Sequence, residues 1–318
     1  MKGILIRGGK KGLELSWSLG KVIFPVTLIV TILQFTPVLP WVMDRLEPLM
    51  GWIGLSGEAA VPLVLGNFLN LYAGIAAIIS FEFTVKEVFI LAVMLSFSHN
   101  LIIESTVAKK VGVSWWFVVG VRLALAFISA ILINLFWKGG GEIAKYGLAP
   151  ERTADPEGWL AIIGQGLQTA FIGVLQLSLI VIPLMIVMQY LRETGWLDRF
   201  SQWLAPATKV LGMERNTSMT LAAGLTIGLA YGAGLMIQAV EEDGVSKKDM
   251  YLAILFLVSC HAVVEDTLIF IPLGIPIWPL LAIRLLTAIV ITAAAGLIWN
   301  KLQRERKETS NEHTYHSL

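Results

Sequence analysis

Long stretches without a charged side chain dominate the chain: residues 22–43, 59–81, 88–103, 123–137, 158–191, 216–240, 250–264, 267–283 and 285–300. A helix crossing a bilayer needs about 20 largely apolar residues, so the longer runs predict spans. The first run follows Lys2, Arg7, Lys10, Lys11 and Lys21. It is too long for a signal peptide and has no small-residue cleavage site, which predicts a retained first helix. Runs 88–103 and 250–264 are short alone but continue past Glu104 and past Glu265 and Asp266 into further apolar residues. Those acids therefore lie inside spans, where ionisable groups are costly and demand a functional or pairing role.

The two halves of the pattern match. At a constant offset of 162 residues His99 meets His261, Gly112 meets Gly274, Trp116 meets Trp278, Arg122 meets Arg284, Trp137 meets Trp299, and Glu104 falls on Asp266. Upstream, Trp41 with Asp44 and Arg45 is echoed by Trp196 with Asp198 and Arg199 at an offset about eight residues shorter. Internal repeats are a recognised build of secondary transporters.

Segments 57–82 and 215–242 decide how the repeats are oriented. As simple spans they give four crossings per half and parallel repeats; as re-entrant hairpins they give three crossings and inverted repeats. Gly66, Asn67 and Asn70 interrupt the first segment, and Gly224, Gly228, Gly232 and Gly234 interrupt the second. Glycines spaced by four could equally form a small-residue packing face. With the N-terminus inside, hairpins leave only Arg45, Lys86, Lys138, Lys145 and Arg152 outside. Simple spans would export Lys109, Lys110, Arg192, Arg199, Lys209 and Arg215 instead. The positive-inside rule favours hairpins.

The expected architecture is an all-α polytopic membrane protein of two inverted repeats, each with three spans, an interfacial helix and a re-entrant hairpin. Its parts are a basic cytoplasmic N-terminus (1–21), repeat 1 (22–137), an extracytoplasmic loop (138–156), repeat 2 (157–300) and a cytoplasmic tail (301–318). The expected location is the cell (cytoplasmic) membrane, with both termini cytoplasmic.

Composition narrows the function. The chain is 56% hydrophobic and 15% charged, with mean hydropathy +0.74, against about 25% charged in an average soluble domain. A net charge of +1 gives no basic footprint for nucleic acid. Cys260 is the single cysteine, which excludes an internal disulfide, and neither CxxC nor HExxH occurs. No P-loop stands in the chain either.

Candidate chemistry lies in and around the interruptions Ser98-His99-Asn100 and Ser259-Cys260-His261, with Glu104, Glu265 and Asp266 close behind them. Glu104 precedes Gly112 by eight residues and Arg122 follows it by ten, or ~12 Å and ~15 Å along a helix. Arg122 is expected to meet Glu104, and Arg284 to meet Asp266, as buried ion pairs; alternatively the arginines hold an anionic group of a solute. His99 and His261 at equivalent positions point to one shared site where imidazole binds solute, relays a proton or ligates a metal. His99, His261 and Cys260 suit a transition metal in ligand type, although no spacing matches a metal motif. Asn67, Asn70, Tyr72, Thr226, Tyr231 and Gln238 are the polar side chains of the hairpins. Asn67, Asn70 and Gln238 join His99, Asn100, Glu104, His261, Glu265 and Asp266 as candidate solute-binding residues.

The order of span, Trp-anchored interfacial helix, hairpin, interrupted span and span, with its paired Ser-His-Asn and Ser-Cys-His interruptions, resembles the nucleoside recognition or Gate-domain membrane proteins. That family groups concentrative nucleoside transporters, the membrane part of ferrous-iron transporters, and spore maturation proteins. The resemblance covers about residues 20–300 and implies a permease for a small polar solute, nucleoside-like by analogy. In the nucleoside transporters hairpin tips supply polar side chains to base and ribose, whereas here the tips are mostly glycine and apolar. The expectation is a secondary transporter, not an enzyme, with no cofactor beyond a coupling ion, H+ or Na+. Its partners are the bilayer, a solute and a homo-oligomeric or other membrane protein, without nucleic acid. A scaffold of the spore-maturation type, a divalent-metal permease and an intramembrane acid–base enzyme are the alternatives.

Overall fold

The computed structural model describes residues 2–147, 158–242 and 244–315. Among these residues no strand forms beyond one isolated bridge between Thr84 and Ile143. The first half comprises α1 (Lys2–Gln34), α2 (Val38–Gly51), α3 (Ala60–Phe68), α4 (Leu71–Ile79), α5 (Val85–Ser98), α6 (Leu101–Lys110) and α7 (Trp115–Phe136). The second comprises α8 (Trp159–Glu193), α9 (Trp196–Val210), α10 (Ser218–Ile227), α11 (Leu229–Glu242), α12 (Lys247–Ser259), α13 (Glu265–Leu268) and α14 (Ile277–Tyr315).

Five helical stretches are long and apolar enough to cross a membrane: Lys2–Gln34, Val85–Lys110, Trp115–Phe136, Trp159–Leu191 and Ile277–Glu305. Only 22% of the apolar window of Trp115–Phe136 is buried by protein, and Phe127, Ile131 and Leu135 lie exposed on it. A soluble fold would hide such a surface; lipid accommodates it. Val85–Lys110 is itself broken between α5 and α6, and its second-half equivalent is α12, a break, α13 and a single turn at Ile271–Leu273.

Helix limits differ from the charge-free runs for a clear reason. The first helix begins at Lys2 and the last continues to Tyr315, because Lys, Arg, Glu and Gln are good helix formers and end a membrane span without ending the helix. The basic stretch before residue 22 and the tail as far as Tyr315 are therefore helical. Of the 138–156 loop, residues 138–147 run extended beside the start of α5, with Val85 N–H donating to Glu142 O and Ala144 N–H to Phe83 O, each at 2.9 Å. The rest of that loop lies outside the described residues.

The chain divides into two units. One holds Met1–Ile103, Val119–Trp196 and Val263–Arg284; the other holds Glu104–Val118, Leu197–Ala262 and Leu285–Leu318. Neither unit is a repeat. Each combines the helix before one break with the segment after the other break, so both halves of the sequence contribute to both units.

In the first unit α1 packs along α8, and the two run antiparallel. A Cβ on Gly8 would come 2.6 Å from Ile186 Cα, one on Gly12 2.8 Å from Ile182 Cα, and one on Gly20 3.3 Å from Val174 Cγ1. Small residues four apart allow this approach where lipid offers no hydrophobic drive for association. Arg7 and Lys11 then reach Glu193 and Gln189 at 2.8 Å.

Both glycine-rich segments are helical hairpins. In the first unit α3 and α4 fold back at Leu69 and Asn70, and the Asn70 side chain caps α4 by accepting from Ala73 N–H at 2.9 Å. In the second unit α10 and α11 fold back at Gly228, whose φ of 88° suits glycine. The break thus lies a few residues after Gly66, and at Gly228 alone among the four second-half glycines. Gly66, Gly224 and Gly232 are helical and serve as packing faces, against Leu95 and Gly74, against Leu257, and against Ala223 respectively.

Two outcomes test this packing. Changing Gly12→Leu forces a side chain into the α8 backbone and should destabilise the detergent-solubilised protein by roughly 1–3 kcal/mol, read as a lower thermal midpoint. Glu193 is held down to about 2, first by its hydrogen bond from Arg7 and then by Gln189. A depressed carboxyl stabilises the fold above its ordinary range and loses that contribution as pH falls towards its folded value. The stability of Glu193→Gln should therefore vary less than the parent's between pH ~4.5 and ~2, measured by thermal melts across that interval.

Candidate functional site

The site begins with two helix starts built alike. Thr84 caps α5 by accepting from Glu87 N–H at 3.2 Å while Glu87 reaches back, a capping box. Ser246, its equivalent 162 residues on, caps α12 by accepting from Asp249 N–H at 3.1 Å. Each helix then runs about four turns through buried apolar residues and stops at its histidine.

The stops are also alike. The two non-glycine residues with positive φ among those described are Asn100 (52°) and Ala262 (41°), again 162 apart. Asn tolerates this region, whereas Ala carries strain there. Each break is hooked to a hairpin: Asn100 N–H donates to Gly66 O at 2.9 Å and Ala262 N–H to Gly224 O at 3.0 Å. The histidines turn back on their own helices, His99 Nδ1 to Leu95 O at 2.6 Å and His261 Nδ1 to Leu257 O at 2.8 Å. Leu95 and Leu257 also carry the side chains that press on Gly66 and Gly224.

Beyond each break the partner comes from the other half of the sequence. In the first unit His99 Nε2 lies 3.9 Å from Asp266 Oδ2, and Arg284 Nη2 lies 3.1 Å from the same oxygen. In the second unit His261 Nε2 lies 3.4 Å from Glu104 Oε1. All five side chains are buried, with Arg284 at 0% exposure.

Both arginines are fully buried and engaged in the first unit. Arg284 pairs with Asp266 as the spacing predicts, and also reaches Thr267 Oγ1 at 3.4 Å. Arg122 donates from Nε to Phe97 O at 2.7 Å and from Nη2 to His99 O at 2.6 Å. It thereby covers the carbonyls that the end of α5 leaves without helical partners. Its expected partner Glu104 belongs to the other unit.

Glu265, next to Asp266, accepts from Tyr72 Oη, so the start of α4 is tied to α13. The other hairpin polar groups bond within their own helices. Asn67 Nδ2 donates to Leu63 O, Thr226 Oγ1 to Ala222 O and the exposed Gln238 Nε2 to Glu242 Oε2. The Tyr231 side chain is outside the described residues. Of the metal candidates, His99 falls in the first unit and His261 and buried Cys260 in the second.

Sequence reasoning missed Gly66, Gly224, Leu95, Leu257 and Ala262 as parts of the site. The offset of 162 that joined the histidines also joins Leu95 to Leu257 and Asn100 to Ala262, and would have marked them.

Comparison with known proteins agrees with the doubled geometry. The family model described as nucleoside recognition, named Gate, matches this chain twice, at residues 16–114 and 174–276. An uncharacterized membrane protein of Bacillus subtilis (strain 168), YvoD, is 62% identical over 301 residues, covering 95% of this chain and 96% of its own length. No solved structure matches.

The ion pair around Asp266 gives a direct test. Changing Arg284→Leu leaves a buried carboxylate without this guanidinium and should cost about 3–5 kcal/mol of stability. Adding Asp266→Asn should restore much of it, read as the thermal midpoint of the purified variants. A double variant no more stable than Arg284→Leu would mean that the arginine acts by packing.

Proposed function

The chain belongs to the nucleoside recognition (Gate) family of membrane proteins, and from that membership we propose that it is a secondary transporter or permease for a small polar solute. The observation that carries this reading is the doubled helix break. Each half interrupts a long apolar segment at the same position, by a residue with positive φ, and lines the interruption with buried ionisable groups. Polar backbone and charge at membrane depth are tolerated where they are buried in protein or line a path for ions or solutes. Pairing accounts for the charges, yet a span needing only stability would place apolar residues there. Two such spans in one chain support a transport role.

Orientation follows from α1 and α8. They open equivalent halves and run antiparallel along each other, which supports inverted repeats with hairpins that enter and leave on one side. In this reading the membrane is the cell membrane, both termini are cytoplasmic, and the 138–156 loop is outside. Broken-helix ends and carbonyls are the groups transporters present to polar solutes. Asn67, Asn70 and Thr226 are engaged with their own helices. Solute recognition in this proposal therefore rests on the breaks, at His99, Asn100, Glu104, His261, Glu265 and Asp266.

Two experiments test it. A thermal-shift screen of the purified protein against nucleosides, organic anions, phosphate and divalent metals should find a stabilising solute. A ligand at a hundred times its Kd adds about 2.7 kcal/mol. That solute should then cross proteoliposome membranes carrying the protein. Absence of flux for every stabilising solute, with loss of a membrane complex when the protein is deleted, would replace transport by an assembly role. For topology, a cysteine introduced as Lys145→Cys should react with an impermeant reagent from outside; labelling only from the cytoplasm would overturn the inverted arrangement.

A further inference from the structure

We propose that the second unit carries a binding site for an acidic phospholipid, its headgroup held by lysines of α6, α12 and α14 and an acyl chain laid along α14. The inference needs only that the helices lie in a bilayer; it stands whether or not a solute is transported.

It starts from a difference between the repeats. In the first half the chain leaves α7 at Phe136 and turns back, so that Lys86 N–H donates to Gly140 O at 2.8 Å and a Cβ on Gly274 would come 2.5 Å from Lys145 O. Residues 138–147 thus cover the start of α5 and the turn before α14. In the second half α14 passes the equivalent point, Ile298, and stays helical to Tyr315. A Cβ on Gly112, the counterpart of Gly274, would meet nothing within 4 Å. The matching end of the second unit is therefore open among the described residues.

Three elements meet at this end. Ser114 N–H donates to Tyr251 Oη at 3.1 Å, and the Tyr251 ring lies 5.6 Å from Phe117 and 6.0 Å from Trp299. Lys248 Nζ donates to Asn300 Oδ1 at 3.1 Å. These contacts gather Lys110, four residues before Ser114, Lys247, one turn before Tyr251, and Lys301, next to Asn300. Lys109, Lys110 and Lys247 are exposed and make no ion pair among the described residues, and Lys301 faces Glu305 at 3.9 Å. Of the acids at this end, Asp249 is 1% exposed beside Lys248, and Glu242 accepts from Gln238 Nε2 at 2.9 Å. An excess of ammonium groups is left at the surface.

Depth and apolar surface point to lipid. The apolar stretch Val85–Lys110 ends on these lysines and Trp115–Phe136 begins just after them. Trp116 is 77% exposed there, and Trp gathers at the bilayer interface. One turn and more before Asn300, Leu297, Val290 and Leu286 are exposed at 70, 62 and 61%. At about 3.6 residues per turn these three and Asn300 fall on one side of α14. A phosphate at the lysines thus has an apolar track leading away from it into the membrane. Basic side chains at this depth attract anionic lipids, whereas the choline of a zwitterionic lipid cancels the charge of its phosphate. The apolar track favours an acyl chain over a soluble anion.

The test uses the purified full chain in nanodiscs of phosphatidylcholine and phosphatidylglycerol in equal shares. On transfer to detergent, native mass spectrometry should find one phosphatidylglycerol retained per chain in preference to phosphatidylcholine. A lysine near an anionic lipid surface contributes roughly fivefold in affinity, so Lys110→Gln with Lys247→Gln should lower that preference roughly 25-fold. Both side chains are exposed, so the fold should persist, checked by unchanged elution and helicity. Val290→Gln with Leu297→Gln should also release the lipid, through the acyl track. The same loss of charge at exposed Lys2 and Lys10 should leave retention intact. An equal loss there would make the effect one of net charge and overturn the site. So would retention of phosphatidylcholine as readily as phosphatidylglycerol, or displacement of the lipid by inorganic phosphate alone, which would mark a site for a soluble anion.

Discussion

Inside an apolar medium a chain that leaves the helix must satisfy each freed amide and carbonyl with protein, and the structure is arranged around that requirement. Asn100 N–H and Ala262 N–H are taken by the carbonyls of Gly66 and Gly224. This contact needs a hairpin arm pressed close to the break. The glycines permit it, since any Cβ there would strike Leu95 or Leu257. At the first break Arg122 takes the carbonyls of Phe97 and His99. A break, a hairpin and, in the first unit, a buried guanidinium therefore form one construction in which no part is dispensable.

Charge follows the same economy. Two buried acids, Asp266 and Glu104, stand opposite histidines from the other half of the sequence. Because each unit joins the pre-break helix of one half to the post-break segment of the other, neither half can complete its pairs alone. Contacts of such long sequence separation must wait for both halves, which slows folding but makes the pairing specific. The link from Tyr72 to Glu265 adds a connection between a hairpin and the segment beyond a break. A shift of the α3–α4 hairpin would then be felt at α13, and so at Asp266.

A large share of this was legible in order of residues. The scarce types His, Arg and Trp recur at one offset because buried ionisable residues tolerate little drift, and they marked the repeat, both breaks and the Arg284 to Asp266 pair. Glycine and asparagine in the middle of apolar runs marked the two hairpins, since both weaken a continuous helix. Less was legible where helix and membrane boundaries differ: α1 and α14 run past the charges that end their apolar windows. The polar hairpin residues were legible as polar but not as self-satisfied.

The sequence alone determined the helical membrane class, the doubling and the interruptions near His99 and His261, because hydropathy, period and rare-residue spacing are local properties that packing does not alter. Tertiary structure decided the partners. A positive φ at Asn100 and Ala262 cancels the facing rule that a continuous helix would impose, so spacing no longer says where Glu104 or Asp266 points. That direction is set by the hairpin carbonyl that captures each break and by the exchange of segments between units, both of which join residues far apart in the chain.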